Sequence, residues 1–146
     1  MSESTFNPDT FLNTEVTEAN STTYIPIPEG EYPALVKTIK PRSTTSGKSI
    51  LDVLWGIDDA EVVRITGNDK PVSRQSIFLD LTDSGGLDFG KGKNVALGKL
   101  REAVGQNQSG KPWAPGMLLG QVARVKIVHR EYEGTIIPDI RGVTAL

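Results

Sequence analysis

Apolar residues recur at every second position in several runs of this chain and at helical spacing in one stretch only, so the fold open to it is built on strands. From Val72 to Leu81, Ile77, Leu79 and Leu81 share one face. From Gln121 to His129, Val122, Ala123, Val125 and Ile127 alternate with Arg124, Lys126 and Val128. Ser49 to Ile57 sets Ile50, Asp52 and Leu54 against Leu51, Val53 and Trp55, which makes both faces of that strand partly apolar. Ahead of it, Tyr32 to Ile39 is rich in β-branched and aromatic residues and carries Pro33, which an edge strand tolerates. The polar, Gly-containing turn Pro41 to Lys48 joins these two runs as a hairpin. A last strand, Thr135 to Val143, follows the Glu133-Gly134 turn, and a short run, Glu61 to Ile65, has the composition of an extra strand. Loops are marked by Thr66 to Pro71 and by Thr82 to Gly86, where Gly, Asn, Asp and Pro punctuate the pattern.

The helical stretch is Val95 to Val104. Asn94 stands where a cap is needed, Leu97, Leu100 and Val104 recur at i, i+3 and i+7, and Gly105 supplies a left-handed stop. The order is therefore strand, strand, strand, helix, strand, strand. That predicts a mainly β domain, an OB-fold-like five-stranded barrel or sheet with one helix between strands 3 and 4. Residues 1–28 are rich in Ser, Thr, Asn, Asp and Glu, hold only isolated apolar positions, and end in Tyr24-Ile25-Pro26-Ile27-Pro28. They read as an acidic, extended and largely disordered arm, with the domain at 29–146.

Charge is segregated along the chain. Residues 1–31 hold six acids and no Lys or Arg, a net −6; the remainder carries sixteen bases against twelve acids, a net +4. Between 91 and 130, Lys91, Lys93, Lys99, Arg101, Lys111, Arg124, Lys126 and Arg130 face one acid, Glu102, for a net +7. Such a run either builds a polyanion-binding face or scatters over several solvated ones. The chain has no cysteine, which excludes disulfides, thiol catalysis and cysteine-held metals. It has no apolar run of membrane-spanning length and no signal-peptide pattern at its start, so a cytoplasmic location and no membrane partner are expected.

Catalytic motifs fail one by one. Ser46-Gly47-Lys48-Ser49 resembles the end of a phosphate-binding loop, but Arg42 stands where that loop needs glycine, and a strand follows where it needs a helix. Gly90-Lys91-Gly92-Lys93-Asn94 starts like a dinucleotide fingerprint, yet Val95 replaces the third glycine. His129 is the sole histidine and has no nucleophile motif around it. Asp58, Asp59, Asp80, Asp83 and Asp88 are placed where Asp commonly serves turns, although convergence of several would make a magnesium site. No cofactor, metal or enzymatic activity is expected.

What survives is Lys91-Gly92-Lys93-Asn94 running into the helix, where glycines let a backbone approach and the helix start favours a phosphate. A solvated loop ahead of a capped helix reads equally well. Single-strand binding also needs aromatic planes for bases. Of Trp55, Phe78, Phe89, Trp113 and Tyr132, Trp113 in the polar loop beside Lys111 and Tyr132 beside Arg130 are the candidates, whereas Trp55 and Phe78 lie in apolar strands and read as core. The expected nucleic-acid contacts are thus Lys91, Lys93, Lys99, Arg101, Lys111, Trp113, Arg124, Lys126, Arg130 and Tyr132.

Pro28-Glu29-Gly30-Glu31-Tyr32-Pro33-Ala34, the block Phe78-Leu79-Asp80-Leu81 through Gly90-Lys91-Gly92-Lys93-Asn94 to Gln106-Asn107, and the closing strands resemble small bacteriophage single-stranded DNA-binding proteins of the OB-fold type. The resemblance spans roughly residues 6–146 and implies a protein that coats strands in phage replication or recombination, in the host cytoplasm, with single-stranded DNA and other replication or recombination proteins as partners. One departure is the C-terminus, Arg141 to Leu146, which lacks the acidic recruiting tail of many such proteins; here the acids are N-terminal. Open strand edges would allow a homodimer. Two other readings remain: a virion or accessory assembly protein whose arm threads against a neighbouring subunit, and a metal-dependent nuclease.

Overall fold

The structure, a computed structural model, describes residues 6–146. Its elements in chain order are α1 (Pro8–Leu12), β1 (Gly30–Ser43), β2 (Ser49–Ile57), α2 (Ala60–Thr66), β3 (Val72–Leu79), α3 (Val95–Ala103), a 3₁₀ turn at Pro115–Leu118, β4 (Val122–Tyr132) and β5 (Thr135–Thr144). The strands form one antiparallel five-stranded sheet in the order β3-β2-β1-β4-β5. The architecture is mainly β, as the period-two patterning predicts. No ladder joins β3 to β5 among the described residues; the two edges meet through a side chain, Ser73 Oγ donating to the Pro138 carbonyl at 3.0 Å.

The sheet curls around one apolar interior. Ala34 and Val36 of β1, Leu51, Val53, Trp55 and Ile57 of β2, Ile77 of β3, and Ala123, Val125 and Ile127 of β4 are all buried and point inward, and Leu97 and Leu100 of α3 pack against them. Trp55 is fully buried, as its strand predicts, and its indole N–H is not left unsatisfied: it donates to Gln75 Oε1 at 3.0 Å.

Four expectations change. Glu61 to Ile65 is not a strand but lies within α2. Asp59 accepts the Val62 N–H at 3.0 Å, Gly67 closes the far end in the left-handed conformation at φ 70°, and Val62 is buried. Two good caps and one buried side chain outweigh the β preference of Val62, Val63 and Ile65. The helix count of one also fails at the arm, where Asn7 caps the short α1 with Pro8 at its first position.

Pro33 does not mark an edge, because β1 is the central strand. Its carbonyl accepts the Asp58 N–H at 2.9 Å, so its missing N–H points to the side where the β2 ladder has already ended. Lastly, Asn94 precedes α3 at φ 53° but its side chain does not cap it. Oδ1 accepts the Asp80 N–H, and Nδ2 donates to the Asp80 and Asp88 carbonyls, stapling the loop after β3 to the helix entry.

Candidate functional site

The register of β1, β2 and β3 arranges their outward side chains in three rows: Arg42, Ile50 and Phe78; Lys40, Asp52 and Ser76; Thr38, Leu54 and Arg74. Phe78 is 58 % exposed on this surface, and Lys48 from the β1–β2 turn sits over its ring at 5.5 Å. The one carboxylate in the rows, Asp52, is buried and accepts from Arg42 Nε at 2.6 Å and from Ser76 Oγ at 2.7 Å. Burial alone would push its pKa up, but those hydrogen bonds, with the charges of Arg42 and Arg74, outweigh burial and hold it below the usual carboxylate value. Asp52 thus orders Arg42 and offsets part of the Arg74 charge.

The surface continues into a groove of about 630 Å³ where the β3 and β5 edges face each other, lined by Arg74 and Ser76 on one side and by Arg130, Asp139 and Arg141 on the other. Arg130 is paired with Asp139. Arg74 and Arg141 make no hydrogen bond or ion pair with any described residue. Tyr132, 57 % exposed at the end of β4, extends this region, with the Arg130 guanidinium 6.0 Å from its ring. Cations without partners beside exposed aromatic rings can hold phosphates and stack bases.

The residues predicted from the sequence do not gather in one place. Arg130 and Tyr132 belong to the groove just described. Lys126 and the half-buried Arg124 are on the outer side of β4, opposite Glu31 and Pro33 of β1. Lys91 and Lys93 are exposed in the turn before α3, but the helix entry there already holds a carboxylate, since Asp80 accepts the Asn94 N–H at 2.9 Å. Lys99, on α3, and Lys111, in the loop that follows it, are exposed.

Arg101 and Trp113 are committed to the fold. The guanidinium stacks on the indole at 4.3 Å and donates twice to the Gln106 carbonyl, at 2.9 and 3.1 Å; the Trp113 N–H donates to Gln106 Oε1 at 2.8 Å, and the ring packs on the core. Trp113 is a lock on its loop, where a free stacking plane was expected.

No protein-family model matches this chain, and no curated protein sequence does either.

The aromatic that the sequence reading misplaced is Phe78, expected in the core and found on the surface. Its signal was present: with Ile77 and Leu79 on the inner face, period two puts Phe78 outside with Ser76 and Arg74. The acids do other work than metal binding. Asp59 caps α2, Asp88 accepts the Gly90 N–H at 2.8 Å, and among the described residues no three His, Asp or Glu side chains converge. His129 ties the arm to β4: its ring Nε2 is 2.8 Å from the Ile27 carbonyl, and its backbone N–H donates to Glu29 Oε2 at 2.8 Å. Among the described residues no helix is long and apolar enough to cross a membrane.

Proposed function

We propose that this protein binds single-stranded DNA in a phage replication or recombination module, with the strand running over the outer face of β2 and β3 and into the groove between β3 and β5. The observation that carries the reading is a groove lined by Arg74 and Arg141, neither with a side-chain hydrogen bond or ion pair to any described residue, flanked by two exposed rings: Phe78, outward on β3 like Arg74, and Tyr132, next to the groove residue Arg130. Phosphates pair with the guanidiniums and bases stack on the rings at about 1–3 kcal/mol each, a chemistry indifferent to sequence. The strand order β3-β2-β1-β4-β5 with α3 between β3 and β4 supports an OB-type architecture, whose ligand face lies on strands 2 and 3 beside the loops after strands 1 and 4. Those loops are the ones that present Lys48 and follow Tyr132.

A labelled poly-dT oligonucleotide titrated at low and high salt, with duplex as control, tests the proposal by fluorescence anisotropy. Tight binding that prefers the single strand and weakens steeply with salt is expected; absence of binding at low salt overturns it. A second reading, an assembly protein that uses its arm against a neighbouring subunit, is favoured by Phe11 and Leu12, which are 61 % and 78 % exposed on a helix that buries nothing. Assembly-dependent protection of the arm in a chain that ignores oligonucleotides would bring that reading forward.

A further inference from the structure

We infer that the protein pairs with a second copy of itself through an apolar row on the outside of the sheet. The inference goes beyond the single-strand reading and does not rest on it. On a sheet with one face on the core and one in water, outward side chains are polar as a rule. One row departs from it. The register sets Val122 of β4 beside Leu35 of β1, Leu35 beside Gly56 of β2, and Gly56 beside Val72 of β3, so four adjoining strands carry no polar side chain at this level. Their chain neighbours Ala34, Val36, Ala123 and Ser73 are buried, so period two turns the row outward, and Val122, Leu35 and Val72 are exposed. Gly56 leaves the middle of the row without a side chain. The stem of Lys37 lies across that gap, where a Cβ at position 56 would stand 2.6 Å from Lys37 Cε. The exposed Leu146 lines the same shallow depression, about 300 Å³, as Leu35 and Val122.

The charges around that depression select the occupant. Lys37, Lys70, Asp58 and Asp69 line it, two of each sign, and none of the four makes an ion pair or a side-chain hydrogen bond with any described residue. A two-fold axis lays a surface against its own copy, so a rim with equal numbers of both signs can set each lysine against an aspartate of the partner. A polyanion gains nothing from a rim of zero net charge. The apolar row supplies the driving force, and the rim ions fix the register. Exposed ion pairs are weak and screened, so salt barely alters this pairing, whereas it steeply weakens a nucleic-acid strand on cations.

Analytical ultracentrifugation of the full chain without nucleic acid tests the inference. A monomer–dimer equilibrium with a dissociation constant on the order of micromolar is expected. Leu35→Glu and, separately, Val122→Glu put a carboxylate into the row and should each weaken association by about tenfold or more. Both positions are exposed, so the melting curve of the monomer should stay as it is. Val95→Glu, at a comparably exposed apolar position on α3, should leave the equilibrium unchanged. Raising salt from about 50 to about 200 mM should alter the constant by less than about twofold. A chain that stays monomeric at several hundred micromolar overturns the inference, and so does a dimer that ignores both row substitutions or dissolves in the higher salt. Oligonucleotide binding is read in a separate titration, so either reading can fail while the other stands.

Discussion

Asp52 shows how one side chain serves both fold and surface. It is buried, yet its two hydrogen bonds hold its pKa below that of an unfolded chain, so its ionised form stabilises the native state. The contribution is therefore full above the unfolded value of about 3.9 and is lost as pH falls through the lowered native value. Asp52→Asn should cost about 1–3 kcal/mol at neutral pH, and the gap from the native chain should close as urea unfolding is repeated below about pH 4. A gap independent of pH would mean that the carboxylate's charge plays no part. Trp113 belongs at the same scale. Trp113→Ala removes the plate under Arg101 and the Gln106 bond, and because the ring is half-buried a loss of about 2 kcal/mol is expected, below the full core value. Oligonucleotide affinity measured well below the new melting temperature should stay unchanged, whereas a base-stacking Trp113 would lose it.

Among the elements, α2 separates what was legible from what was not. Strands β2 to β5 follow from period two, since alternation is a local property that tertiary contacts reinforce. Glu61 to Ile65 carries strand-forming residues in a helix because the deciding interactions, the Asp59 cap and the burial of Val62, sit at its ends and beneath it. Composition averages over those. Asp59→Ala should cost about 1 kcal/mol by chemical denaturation and leave β2 and β3 pairing intact in amide exchange. Pro33 teaches the same lesson about position: proline's rule concerns where an N–H must donate, and a central strand satisfies it wherever one neighbour has ended. Candidate site residues were less legible than strands. Arg130 and Tyr132 reach the groove, but Arg74, Arg141, Lys40 and Lys48 come from segments far from the 91–130 cation run, joined to them only by sheet pairing.

At the scale of the whole molecule, the +7 between residues 91 and 130 does not act as one field. Arg101 is locked under Trp113, Arg130 is paired with Asp139, Lys126 stands opposite Glu31, and the α3 entry is filled by Asp80. Among the described residues, Arg74 and Arg141 line the β3–β5 groove and make no hydrogen bond or ion pair. Two sets of cations therefore make opposite predictions. If the strand follows the β2–β3 face, Arg74→Ala with Arg141→Ala removes two phosphate contacts, and the slope of log affinity against log salt should become shallower by about 1.4, at about 0.7 per contact for single strands. Lys91→Ala with Lys93→Ala removes the same formal charge from the other side and should change that slope by less than half as much, since long-range fields are screened within about 10 Å at 0.1 M salt. Phe78→Ala separates stacking from charge: it should weaken binding by about 1–3 kcal/mol with the slope unchanged. The reverse pattern, a large change from the lysine pair and none from the arginine pair, would move the strand from the groove to the start of α3.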